Sequence, residues 1–178
     1  MSTALVVFGV VVLALVALLI VASRKPDTFD VSRSVTVNAP AEKIFPWFEN
    51  PRRMNVWNPF VKADPAIRLD YSGPESGVGA TNRWEGNSQV GAGSAEVVES
   101  RPFSNIVVAL RMIRPMKGEN RVEYIFEPRG EATLVTWRMS GKQPLIGKLV
   151  SIFLNCEKMV GGPFEKGLAE MKGIVEKQ

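Results

Sequence analysis

Twenty consecutive residues, Thr3 to Ala22, carry no charged side chain and are dominated by Val, Leu and Ala. As a helix rising ~1.5 Å per residue, such a run reaches about 30 Å, the thickness of a bilayer core. A cleaved signal peptide instead wants a basic stretch ahead of a shorter apolar run of about 7–15 residues. Nothing basic precedes this run, and Arg24 and Lys25 follow it. The segment therefore reads as a single transmembrane anchor over residues 1–23, with residues 24–28 as a juxtamembrane spacer and residues 29–178 as the soluble domain. Basic residues beside a span stay cytoplasmic. The expectation is a single-pass protein of the inner (cytoplasmic) membrane whose soluble domain faces the cytoplasm.

The 155 residues from Arg24 onward hold all 22 basic and all 18 acidic groups, enough for one domain with its own core. Histidine is absent and Cys156 is the one cysteine. No Ser-His-Asp or Cys-His nucleophile, no His-ligated metal site and no internal disulfide can be built from such a set. The net charge of +4 is spread along the domain, whereas nucleic-acid binding needs a clustered basic stripe. Gly77-Val-Gly79 and Gly91-Ala-Gly93 lack both the third glycine and the following helix of a dinucleotide loop, so they read as turns and bulges. No spaced acidic loop offers a cation site. Cofactors, metals, nucleotides and nucleic acids are thus not expected partners.

Phe29 to Val37 alternates, with Phe29, Val31, Arg33, Val35 and Val37 on one face, which predicts a first strand. Asn38-Ala39-Pro40 supplies a cap and a first-turn proline for a helix over Ala41–Phe48, which Pro46 shortens. A second short helix follows from Arg52 to Trp57. Six more strands are predicted near Ile67–Tyr71, Ala80–Glu85, Ser94–Ser100, Ile106–Met112, Arg121–Glu127 and Thr133–Ser140. The last segment changes period: Ile146, Leu149, Phe153, Val160, Phe164, Leu168, Met171 and Val175 form a helical stripe, with Gly161-Gly162-Pro163 expected to kink or split it. Lys166 with Glu170, and Lys172 with Glu176, fall at i,i+4 on its polar side. The fold class is α+β, a seven-stranded curved antiparallel sheet covered by a long C-terminal helix.

Trp57, Trp84, Tyr124, Phe126, Trp137 and Phe153 fall on core-facing phases, as do Trp47 and Phe164. A packed core explains any one of them. The set exceeds what a filled core needs and suits the wall of an apolar ligand cavity. Asn82, in phase with Trp84, and Asn155 on the long helix are candidate polar groups to orient a ligand, or else satisfied buried amides. Glu85 and Glu96 lie on consecutive strands and would make an acid–base pair if they met, but their phase places both toward solvent. Arg33 would meet an acidic head group or form a salt bridge. The apolar and basic stretch Met112–Gly118 suits a hairpin loop, a cavity gate or a contact with anionic lipid.

Val35-Thr-Val-Asn-Ala-Pro-Ala41, Trp57-Asn-Pro59, Gly77-Val-Gly79 leading to Trp84-Glu-Gly86, Thr133-Leu-Val-Thr-Trp137 and Phe164-Glu-Lys-Gly-Leu168 together resemble the START-like (SRPBCC) superfamily, and within it the bacterial polyketide cyclase/dehydrase and lipid transport branch. The resemblance spans about residues 29–177. It implies a helix-grip (START/Bet v 1-like) fold with a cavity for hydrophobic small molecules such as lipids, sterols or polyketides. No catalytic residue carries over onto this chain.

The leading reading is therefore membrane-anchored binding of a lipid or other hydrophobic small molecule between sheet and C-terminal helix. One alternative is a cyclase/dehydrase-like enzyme working through carboxylates or ordered water. The other is a solidly packed scaffold contacting another membrane protein, to which the lack of any cavity above ~300 Å³ would point.

Overall fold

Alternating apolar and polar side chains draw most of the chain into one antiparallel sheet. The computed structural model describes residues 3–153 and 156–177. The strands are β1 (Thr28–Val37), β2 (Arg68–Ser72), β3 (Thr81–Glu85), β4 (Ala92–Arg101), β5 (Asn105–Arg114), β6 (Gly118–Arg129) and β7 (Ala132–Lys142). Their spatial order is β1-β7-β6-β5-β4-β3-β2. Successive hairpins build β2 through β7, and the sheet is completed by β1 lying against β7, with Thr28 opposite Lys142 and Val37 opposite Thr133. Register shifts at Ala92/Gly93 and Val97/Glu99 interrupt β4, and such bulges bend a strand.

Between β1 and β2 run four short helices, α2 (Ala41–Ile44), α3 (Pro46–Glu49), α4 (Pro51–Trp57) and α5 (Pro59–Lys62). The last of them was not expected from the sequence. Each Asn-Pro pair ends one helix and starts the next. Asn50 Oδ1 accepts from the Arg52 and Arg53 amides, and Asn58 Oδ1 from the Phe60 amide, with proline at the first helical position in both cases. Asn38 is not a cap: its amide donates to the Glu176 carboxylate, and Pro40 takes the cap position of α2 without a side-chain bond.

The C-terminal segment forms α6 (Leu145–Phe153) and α7 (Cys156–Val175). Helix α7 runs through Gly161-Gly162-Pro163 with Pro163 inside it, so the segment is not split there. Gly161 serves a different purpose. A Cβ at this position would collide with the Arg33 guanidinium, which reaches across to Glu165 and Glu157. Arg33 is thus a salt-bridge residue between β1 and α7. Phe164, Leu168, Met171 and Val175 are buried at helical spacing, and the Phe164 ring stacks on Trp137 at 4.0 Å between centroids. Ile146 does not extend this stripe. It lies exposed on α6, which leaves the sheet and packs beside an N-terminal helix, α1 (Thr3–Ser23). Of the two anticipated helical ion pairs, Lys172 meets Glu176, while Glu170 instead bonds Lys62 of α5.

Helix α1 has a mean hydropathy of 3.4 over its most apolar window. This length and composition are shared by membrane anchors and signal sequences. Its foot is tied to the domain: Ala22 is buried, Lys25 Nζ donates to the Ser151 carbonyl at 2.7 Å, and buried Lys148 pairs with exposed Asp27. The Lys148 ammonium, through its hydrogen bond and its charge, holds the Asp27 carboxyl below its ordinary value.

Gly167 sets how closely α7 approaches its neighbours, since a Cβ there would lie 2.9 Å from Pro59 Cδ and 3.1 Å from the Trp137 ring. Gly167→Val should therefore destabilise the domain by about 1–3 kcal/mol in urea unfolding. Unchanged stability would show that α7 is free to shift away.

Candidate ligand cavity

Where the inward side chains of the sheet are short, α7 does not cover them. Ala95 and Val97 of β4, Val108 and Leu110 of β5 and Val122 of β6 face instead the underside of α3, α4 and α5, which presents Phe48, Met54, Asn55, Asn58, Phe60 and Val61. Between the two layers lies a cavity of about 150 Å³. Tyr124 and Trp137 close it toward α7, while Asn82, Trp84, Ile67 and Val90 bound it on the β3 side. The described residues that line it carry no charged side chain.

Of the residues singled out from the sequence, Asn82, Trp84, Tyr124 and Trp137 line this space. Trp57 and Phe126 do not. Trp57 is fully buried against Phe48 and Trp137, with its indole N–H donated to the Trp47 carbonyl at 3.1 Å, and Phe126 packs on Phe45 and Phe48. Both are core. Asn155 lies outside the described residues, as does the side chain of Phe153. The roof residues Met54, Phe60 and Val61 escaped the sequence reading because helices of four to seven residues are too short for a period to show which side faces inward.

Trp84 reaches its place across a glycine. Gly93 is its partner on β4, and a Cβ there would lie 2.6 Å from the Trp84 ring. Asn82 stands two residues earlier on the same face, opposite Ala95 on one side and Tyr71 on the other. Tyr124, fully enclosed, donates only to the Met54 sulfur at 3.6 Å, and burial pushes its phenol well above the ordinary tyrosine value. It stays neutral throughout the physiological range.

Buried polar groups elsewhere in the domain are paired. Asn50 caps α4, Asp64 accepts from the amides of Ala66 and Asn87, Thr133 donates to the Ala39 carbonyl, and Lys148 meets Asp27. The exceptions among the described residues are Asn82 Oδ1 and Trp137 Nε1, both without a hydrogen-bond partner. Both belong to cavity-lining side chains that are more than nine-tenths buried. Leaving such a group unsatisfied costs about 1–3 kcal/mol.

Glu85 and Glu96 do not form a catalytic pair. Glu85 bonds Arg68 and Arg114, and Glu96 bonds Arg111, on the solvent side of the sheet. At about 150 Å³ the cavity falls below the ~300 Å³ typical of ligand pockets, which by volume is the outcome expected of a packed scaffold and leaves room only for a small guest.

The profile of the family described as polyketide cyclase/dehydrase and lipid transport matches residues 28–176. No curated protein matches the sequence. Among solved structures, protein CV1439 from Chromobacterium violaceum is similar with a TM-score of 0.60 at 15% identity, covering 85% of this chain and 99% of its own. The ginseng major latex-like protein 151 from Panax ginseng reaches 0.59 at 11% identity, covering 84% and 98%. A norcoclaurine synthase point mutant from Thalictrum, in complex with a transition-state analogue, reaches 0.63 at 13% identity, covering 84% and 95%. At these identities the likeness concerns the fold: a Bet v 1-like helix-grip α+β domain.

Filling the cavity from its floor provides a direct check of its reality. Ala95→Leu should change unfolding stability by less than about 1 kcal/mol, because the added methyl groups enter empty space. A loss of about 3 kcal/mol, the upper end for overpacking, would mark the region as solid core.

Proposed function

The chain belongs to the polyketide cyclase/dehydrase and lipid transport family, and on that premise we propose that it binds a hydrophobic small molecule in the cavity beneath α3–α5 while α1 holds it in a membrane. The observation that carries the reading is an apolar cavity set into an otherwise dense core. A cavity near 150 Å³ lined by apolar groups is the size that takes a single aromatic ring. The favoured guest is accordingly a compact ring compound or the end of one acyl chain rather than a whole diacyl lipid. Binding is preferred over cyclase-like chemistry because the described lining supplies no carboxylate, lysine or arginine to move a proton.

The membrane half of the proposal rests on α1 and on what surrounds its foot. Leu145, Ile146 and Val150 expose an apolar strip on α6, beside α1. By strand register, the β5–β6 loop with exposed Ile113 and Met116 lies at the same end of the sheet as the start of β1. This end would rest on the lipid surface, with Arg24 and Lys25 at the phospholipid headgroups and the domain in the cytoplasm.

The full chain, extracted in mild detergent and examined by native mass spectrometry, should carry a stoichiometric small hydrophobic compound, and Ala95→Leu should release it. A clean apo mass that persists after incubation with a membrane extract would overturn the binding reading. The intact mass should retain residues 1–23, and protease added outside intact cells should leave the domain uncut; loss of those residues would identify a cleaved signal. For α6, a solvent-sensitive fluorophore on Ile146→Cys in nanodiscs should emit in the blue and be quenched by brominated lipid. Water-like emission would remove α6 from the membrane surface.

A further inference from the structure

We infer that the end of the domain where α1 joins is a docking surface for anionic phospholipid, which tilts the domain down onto a negatively charged leaflet and leaves it raised on a zwitterionic one. This rests on the membrane half of the reading above and adds the headgroup chemistry.

Strand register collects one set of turns at this end. Thr28 stands opposite Lys142, Met112 opposite Gly118, Glu85 opposite Ala92 and Arg68 opposite Glu85, so the start of β1 shares the end with the β5–β6 and β3–β4 turns. Helix α6 sets out from the same place, just past Lys142. The carboxylates here are already engaged. Asp27 is taken by Lys148, Glu119 by Arg111 and Glu85 by Arg68 and Arg114 together, while buried Asp64 accepts from the Ala66 and Asn87 amides. Arg24, Lys117 and Lys142 are exposed and meet no carboxylate among the described residues. Lys25 donates to the Ser151 carbonyl and hydroxyl, neither of which carries a charge to offset it. The imbalance is local: further along the strands Arg138 meets Asp30 and Glu123, and Arg121 meets Glu99.

Apolar side chains are interleaved with these cations. Exposed Ile113 and Met116 precede Lys117 in the β5–β6 turn, and exposed Leu145 and Ile146 follow Lys142. Such a mixture suits a lipid interface, where the apolar groups enter the acyl boundary and the long basic side chains reach back to the phosphates. Zwitterionic headgroups carry no net charge to answer the cations, whereas anionic ones do. Arg24 directly follows α1 and sits among headgroups whether or not the domain docks; Lys117 and Lys142 reach them only in the docked state. Each basic residue near an anionic surface favours that state roughly fivefold, and the two lysines together about 25-fold. An acidic protein partner matches the charge but not the place, because on this reading α1 holds the same end at the bilayer.

The test uses the full chain with Cys156→Ser, labelled with a solvent-sensitive fluorophore on Met116→Cys, in nanodiscs of phosphatidylcholine alone or mixed with phosphatidylglycerol. Brominated phosphatidylcholine in both serves as quencher, and the same label on Leu13→Cys, midway along α1, reports whether the anchor is inserted. The label on Met116→Cys should be blue and quenched in the mixed discs, water-like in phosphatidylcholine alone, and released from the mixed discs by high salt. Lys117→Gln with Lys142→Gln should lower the ratio of docked to raised domain about tenfold or more, and arginine at both positions should keep it. Equal quenching in the two lipids would overturn the anionic preference while leaving the membrane contact in place. Quenching in the mixed discs that survives the glutamine pair would overturn the part given to Lys117 and Lys142. Water-like emission from Met116→Cys in both lipids, with the α1 label quenched, would overturn docking and leave the anchor, and an unquenched α1 label would overturn the membrane reading with it.

Discussion

The stack of Trp137 on Phe164 is the contact on which the other features of the domain depend. Offset aromatic pairs add about 0.5–1.5 kcal/mol beyond the area they bury, but here position matters more than strength. Trp137 stands on β7, between the closing strand β1 and the hairpin series. One face of its ring receives α7, and its edges meet Trp57 of α4 and Phe60 of α5 at centroid distances of 5.7 and 6.4 Å. The same side chain therefore seats the long helix, supports the short-helix roof and forms one wall of the cavity. Gly167 is the counterpart on α7, because only a residue without a side chain lets the helix come this near.

A second organising fact is that the two ends of the sheet are unlike. At one end lie the start of β1, the end of β7, the β5–β6 loop and the residues Ile67 and Val90 that border the cavity. The chain arrives here from α1, and Lys25 and Lys148 fix α6 to the arriving segment. The opposite end carries the α2 corner, pinned by the bond from Thr133 to Ala39. The cavity is thus bordered by loops at the end where the apolar helix joins, while the far end is closed by packing.

The strands were legible because period-two alternation is a local property, and all seven lie within a few residues of where the pattern puts them. The resemblance to a known superfamily, carried by short motifs around Pro40, Pro59 and Trp137, agreed with the sheet order and the terminal helix. What resisted reading depended on neighbours distant in sequence. Gly161-Gly162-Pro163 looks like a helix breaker until Arg33 is seen to lie against Gly161. Ile146 belongs to the apolar period but follows α6 away from the sheet. Trp57 and Trp137 are indistinguishable by phase, yet one is core and the other wall, a difference set by which short helix lies over which strand. Asn82 was accessible from its phase with Trp84, whereas its lack of a partner is a property of the assembled core alone.

An apolar cavity set into the core also has a consequence for the life of the molecule in a cell. An occupant that fills it would stabilise the folded state by mass action, by an amount that grows with the logarithm of its concentration relative to its dissociation constant. In a cell, where unfolded molecules are continually removed, a shift of 1–2 kcal/mol changes steady-state abundance several-fold. The quantity of this protein would then follow the supply of such an occupant with no change in transcription.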